Sequence, residues 1–213
     1  MICVAAATDK ARSGGLCFLG YNKKMELKLW WNYCRARFFL FINSRSRAIE
    51  ALKSVLTADP SNVQARNALG FLFGEAGEFS LAVEQFQSVL NARPNDADTL
   101  FNLGFIHQKQ GKHAEAVAAF QSAIRTKPSI DRAWFGLGIS YAELGQHHEA
   151  IKAFEQAAKL QPMNPHALYE LGMQHHALSN HEKLAGVIER LRQFDPKATQ
   201  QLIQATTPSV DKR

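Results

Sequence analysis

An all-α chain of stacked helical hairpins is predicted by three observations. Five prolines, Pro60, Pro94, Pro128, Pro162 and Pro196, follow one another at intervals of 34 residues. Gly70, Gly104, Gly138 and Gly172 keep the same interval, each preceded by a leucine: Leu69, Leu103, Leu137 and Leu171. Three apolar columns run beside them: Ala48, Ala82, Ala116, Ala150 and Leu184; Leu52, Phe86, Phe120, Phe154 and Ile188; and Val55, Val89, Ala123, Ala157 and Leu191. Self-similarity at this period implies a unit of two antiparallel helices, which buries its apolar face only by stacking on copies of itself.

The unit from Asp131 to Asn164 shows how each element arises. Trp134, Leu137, Gly138 and Tyr141 are spaced to share one side of a first helix, and Ala150, Phe154 and Ala157 do the same on a second. Small residues let the helices approach and large ones fill the gap. Gly77, Gly111 and Gly145 fall between the two helical stretches, where a tight connection favours a residue without a Cβ. The proline that follows ends the second helix. In chain order this gives an irregular segment 1–28, a poorly matching unit 29–62, sound units 63–96, 97–130, 131–164 and 165–196, and a capping helix with its tail, 197–213. Leu202 and Ile203 are expected to cover the last unit, and Pro208 to Arg213 to fray.

The Trp134, Leu137, Gly138, Tyr141, Ala150, Phe154, Ala157 and Pro162 series closely resembles the tetratricopeptide-repeat pattern W-x2-L-G-x2-Y…A-x3-F…P. The resemblance is good over residues 63–196 and poor over 29–62, where Asn32 and Arg35 stand in the places of Trp and Leu. It implies a right-handed superhelical solenoid from a bacterial chain, acting as a non-catalytic scaffold. It also implies a concave groove lined by the second, fifth, ninth and twelfth places of each first helix. Here those places bring Asn67, Phe71, Phe101, Phe105, Arg132, Phe135, Ile139, Tyr169 and Met173 to the groove, with Asn102 beside them. The family's carboxylate clamp for acidic chaperone tails is essentially absent: its five places hold Asn67, Phe71, Asn102, Arg132 and Gly136, of which only Asn102 matches in kind.

An ordinary amphipathic helix has one apolar face. Phe71, Phe101, Phe105, Phe135, Ile139, Tyr169 and Met173 make these first helices apolar on a second stripe as well. A groove so lined invites an apolar peptide or an amphipathic helix, with Asn67, Asn102 and Arg132 fixing its register. The bland alternative is that the fifth-place aromatics Phe101, Phe135 and Tyr169 only pack within the stack.

Charge disfavours nucleic acid as the partner. The net charge of +6 arises wholly in residues 1–62, where ten Lys and Arg face Asp9, Glu26, Glu50 and Asp59; beyond them 15 basic and 15 acidic residues cancel. Phosphate binding needs clustered cations, which the sound units do not offer. Cys3, Cys17 and Cys34 show no metal-site spacing and read as free thiols. No phosphate loop or H-E-x-x-H motif occurs, and the His113, His147 and His181 ladder reads as exposed repeat positions. No catalytic residues, metal or cofactor are expected.

The segment 29–47 leaves readings open. Trp30, Trp31, Tyr33 and Phe38 to Phe41, beside Arg35, Arg37, Arg45 and Arg47, suit either a degenerate capping repeat or peripheral contact with a lipid headgroup boundary. Residues 29–42 could also occupy the groove as an autoinhibitory peptide. With no convincing secretory signal, the expected location is cytoplasmic, with or without peripheral membrane association. Rival functions are a membrane-associated assembly factor for an envelope machine and a regulatory subunit of a separate enzyme.

Overall fold

The computed structural model describes residues 44–207, together with Trp31, Cys34, Arg35, Phe38, Phe39 and Ile42. Segment 1–28 and residues 208–213 lie outside the described residues, as do Cys3 and Cys17. Ten complete helices and no strand occur among the described residues: α1 (Arg45–Ala58), α2 (Val63–Glu75), α3 (Phe79–Ala92), α4 (Ala97–Lys109), α5 (His113–Thr126), α6 (Asp131–Glu143), α7 (His147–Leu160), α8 (Pro165–Ala177), α9 (His181–Arg192) and α10 (Pro196–Thr206). The chain divides into two compact units, Met1–Ala65 and Arg66–Arg213.

In the first unit, Trp31, Cys34, Arg35, Phe38 and Phe39 are helical. The guanidinium groups of Arg35 and Arg47 each lie 5.9 Å from the Phe39 ring centroid, within cation–π range. Ala48, Ala51, Leu52 and Val55 form the buried stripe of α1 at helical spacing. After it, the Asp59 carboxylate accepts from the Ser61 hydroxyl at 2.7 Å, the Ser61 N–H at 3.1 Å and the Asn62 amide at 3.1 Å. These bonds, led by that of the Ser61 side chain, hold its pKa below the usual carboxylate value. Asn62 Oδ1 then accepts from the Ala65 N–H at 2.9 Å, which starts α2.

In the second unit each hairpin turns through the same backbone device. Gly77, Gly111 and Gly145 take φ of +79°, +72° and +71°, and the N–H one residue later reaches back to the preceding helix, as from Lys112 to the His107 carbonyl at 2.9 Å. This is the Schellman arrangement, and the left-handed residue it needs is best supplied by glycine. The fourth hairpin uses Ser179 at φ +55° instead. Pro94, Pro128 and Pro162 stand in turns between hairpins, whereas Pro196 is the first residue of α10.

The glycine column is explained by the phenylalanine column. A Cβ built on Gly70, Gly104 or Gly138 would come within 2.6–2.8 Å of the ring of Phe86, Phe120 or Phe154, and these rings are at most 1% exposed. Phe120 is gripped twice, since a Cβ on Gly136 of the next hairpin would also lie 2.6 Å from it. At Gly172 the ring is replaced by Leu202 of α10, which is fully buried. The cap therefore rests on Leu202, while Ile203, expected to share that role, is 37% exposed and points away.

Each hairpin packs on the next through its first helix, and α4 touches α6 as α6 touches α8. The second helices α5, α7 and α9 are separated by those first helices. The first helices therefore form one wall of this unit, and the site is built on that wall.

Candidate functional site

Phe101, Phe105 and Gln108 of α4, and Arg132, Phe135 and Gly136 of α6, line a hollow of about 320 Å³ on this wall. Phe120 forms its floor, and Asp131, Ala157, Asn164, His166 and Ala167 complete it. Gly136, Ala157 and Ala167 leave the space, and the aromatic rings give it apolar walls. Phe101 tilts against Phe120 at 5.9 Å between centroids, and Phe135 against Phe154 at 5.7 Å. Both are half-buried, so the fifth-place aromatics pack on their own hairpin and also present a face to the hollow.

Cations are stacked on two of these rings. The Arg132 guanidinium lies 4.7 Å from the Phe101 centroid, and Lys109 Nζ lies 5.3 Å from that of Phe105. Gln108 Nε2 donates to the Gly136 carbonyl and the Ser140 hydroxyl, both at 3.3 Å, which ties α4 to α6 at one end of the hollow.

The remaining residues expected in the groove are distributed along the wall. Phe71 is 51% exposed and lies outside the hollow. Ile139, Tyr169 and Met173 are half-buried against the core of the last hairpins. Asn102 is half-buried, and its side chain makes no hydrogen bond to another described residue. Asn67, expected to fix the register of a ligand, is engaged within the chain: its Nδ2 donates to Thr99 Oγ1 at 2.8 Å, and that fully buried hydroxyl lies 2.7 Å from the Asp96 carboxylate. Gly136 stands at one of the five clamp places, and the Phe120 ring occupies the space a side chain there would need.

Sequence reasoning missed Phe120, Ala157, Asn164 and Ala167 as lining residues. Their columns mark them as core or turn, and nothing local in the sequence shows that the core opens onto the surface at Gly136.

A second hollow of about 420 Å³ adjoins the first and shares His166 with it; Tyr169, Glu170, Asp195 and Lys197 line it. Burial, and secondly the neighbouring Glu143 carboxylate, push the Glu170 pKa above its ordinary value, and His166 opposes them. A third hollow, about 490 Å³, opens on the side of the second helices. Three of its polar side chains are engaged within the chain: the Trp134 indole donates to the Pro128 carbonyl at 2.9 Å and Gln121 Nε2 to the Tyr141 hydroxyl at 2.8 Å. Arg125, Glu149 and Lys152 ring it with charge.

The histidines depart from the exposed ladder expected of them. His181 is exposed, but His113 is half-buried, and His147 Nδ1 lies 2.8 Å from Gln174 Oε1. His175 is 3% exposed, and burial, followed by the nearby Lys183, lowers its pKa. Burial likewise lowers that of His107, with Lys112 acting in the same direction and Glu115 against it. Among the described residues no group of three or more His, Cys, Asp and Glu could hold a metal ion, and no helix is long and apolar enough to cross a membrane.

Paired helices, left-handed glycine turns and an aromatic inner wall define a tetratricopeptide array. Profiles of the tetratricopeptide repeat match residues 35–97, 68–129 and 131–164, and the chain belongs to that family. Among solved structures it is similar to MamA from Desulfovibrio magneticus RS-1, at 20% identity and a TM-score of 0.68, with 84% of this chain and 96% of that one covered. It is also similar to YrrB, described as a tetratricopeptide protein with an unusual peptide-binding site, at 21% identity and a TM-score of 0.66, covering 79% and 88%. No curated protein matches the chain by sequence. Tetratricopeptide arrays bind protein or peptide partners and are generally non-catalytic scaffolds.

Proposed function

We propose that this protein is a non-catalytic adaptor that holds an apolar peptide, extended or as an amphipathic helix, against its first-helix wall. The observation that carries this reading is the hollow walled by Phe101, Phe105, Phe120 and Phe135, which no described residue fills. Its volume suits one or two apolar side chains of a peptide and sits at the small end of the range for small-molecule sites. Burying one Phe or Leu there contributes about 1.5–3 kcal/mol. Asn102 and the Gln108 Oε1 offer polar contacts for register, and Arg132 guards the rim. The peptide-binding site attributed to YrrB is consistent with a ligand on a wall of this fold.

Selection of a random phage-displayed peptide library against the full chain tests the reading. The wild type should enrich peptides with aromatic or large aliphatic anchors. Phe105→Glu combined with Phe71→Glu should abolish the enrichment while leaving helical circular dichroism unchanged; equal enrichment by the double variant would sink the reading.

A second reading rests on the N-terminal unit. Trp31, Phe38 and Ile42 are 60%, 58% and 46% exposed beside Arg35, a composition suited to a headgroup boundary. If it holds, the chain sediments with anionic liposomes and a chain lacking residues 1–47 does not.

A further inference from the structure

The chemistry of the occupant can be specified further, on the reading of the groove given above. We infer that the peptide carries a lysine or arginine close to its apolar anchor, and that Glu170, supported by Glu143, receives this cation in the hollow adjoining the aromatic one.

The two hollows meet at His166, so an occupant seated on Phe101, Phe105 and Phe135 that continues towards α8 enters the second one directly. That hollow is polar where the first is apolar, and its charge is unbalanced. Glu170 is half-buried, and its side chain has neither an ion pair nor a hydrogen bond with another described residue. The groups that act on it are Glu143 of α6, which repels, and His166 of its own helix, which attracts. Asp195, on the third side, caps α10 by accepting from the Ala198 N–H at 2.9 Å. Lys197 lines the same hollow but forms no ion pair with either carboxylate. A half-buried carboxylate repelled by a second one, with only the exposed His166 imidazole to offset that repulsion, costs free energy that an incoming ammonium or guanidinium would recover. An acidic ligand residue would add a further negative charge to the same place.

The geometry also limits spacing. Neighbouring helices pack about 8–10 Å apart. An extended peptide advances about 3.3 Å per residue, so the basic residue falls about three positions from the anchor.

The test runs the same displayed library in parallel against the full-length wild type and the full-length Glu143→Gln, Glu170→Gln variant, whose amides keep the shape of the carboxylates. Among peptides enriched for an aromatic or aliphatic anchor, the wild type should favour Lys or Arg over Asp or Glu near that anchor by roughly tenfold, the ratio that about 1.4 kcal/mol of preference produces. The variant should keep the anchor preference and lose the charge preference. Anchor enrichment with no basic bias in the wild type, or with the same bias in the variant, would overturn this inference and leave the groove reading standing. No anchor enrichment at all would overturn both.

Discussion

Phe120 shows at the scale of single residues how the repeat is both held together and made useful. Its ring is wedged between Gly104 of its own hairpin and Gly136 of the next, and its edge floors the aromatic hollow. Because the ring cannot yield in either direction, Gly104→Ala should destabilise by about 1–3 kcal/mol, and thermal unfolding would register the drop. Gly186 in α9 is the contrasting case: nothing lies within 4 Å of a Cβ there, so Gly186→Ala should stabilise by up to about 1 kcal/mol. Ser179 pays the left-handed penalty that Gly77, Gly111 and Gly145 avoid. Ser179→Gly should therefore raise the melting temperature by a contribution of order 0.5–1 kcal/mol. The glycine column is plain in the sequence because its spacing repeats. The second grip on Phe120 is not, since Gly136 belongs to no column and its role depends on how closely α6 approaches α5.

At the scale of elements, the last hairpin and its cap depend on groups that the sequence locates but does not bury. Leu202 on α10 fills the place over Gly172 that a phenylalanine fills in the earlier hairpins. Leu202→Ala should cost about 2–5 kcal/mol, with hydrogen exchange rising first in α8 and α10. Sequence periodicity offers both Leu202 and Ile203 for that role; only the register of α10 on α8 decides between them. The buried imidazoles give these elements a pH dependence. The folded-state pKa values of His107 and His175 lie below the ordinary imidazole value of 6.5, so the unfolded chain binds more protons as pH falls through that value. Their favourable contribution is complete above it and is lost as pH decreases. Urea unfolding should thus show a lower midpoint at pH 5.5 than at pH 7.5, with a smaller difference in the His107→Gln, His175→Gln variant. Glu170 acts in the opposite sense at lower pH: its raised pKa penalises folding as pH rises from its ordinary value of 4.5 through its folded value.

For the whole molecule, the repeat period fixes which side of each helix faces the core and which faces out, so the face of the first helices that lines the aromatic hollow was legible in the sequence. Phe101, Phe105, Arg132 and Phe135 meet around one hollow because places two, five and nine recur on one face of successive first helices. Asn67 could not be judged in that way, since its partner Thr99 lies 32 residues on and is recognised only once the hairpins are stacked. On the proposed reading a ligand binds the aromatic wall rather than the larger hollow beside Trp134 and Tyr141. Two-dimensional 15N NMR of the full chain, titrated with a peptide enriched from the displayed library, tests this most directly. Shift changes should concentrate in α4, α6 and the start of α8, around Phe105, Phe135 and His166. Changes concentrated instead in α5 and α7, around Gln121 and Lys152, would contradict it.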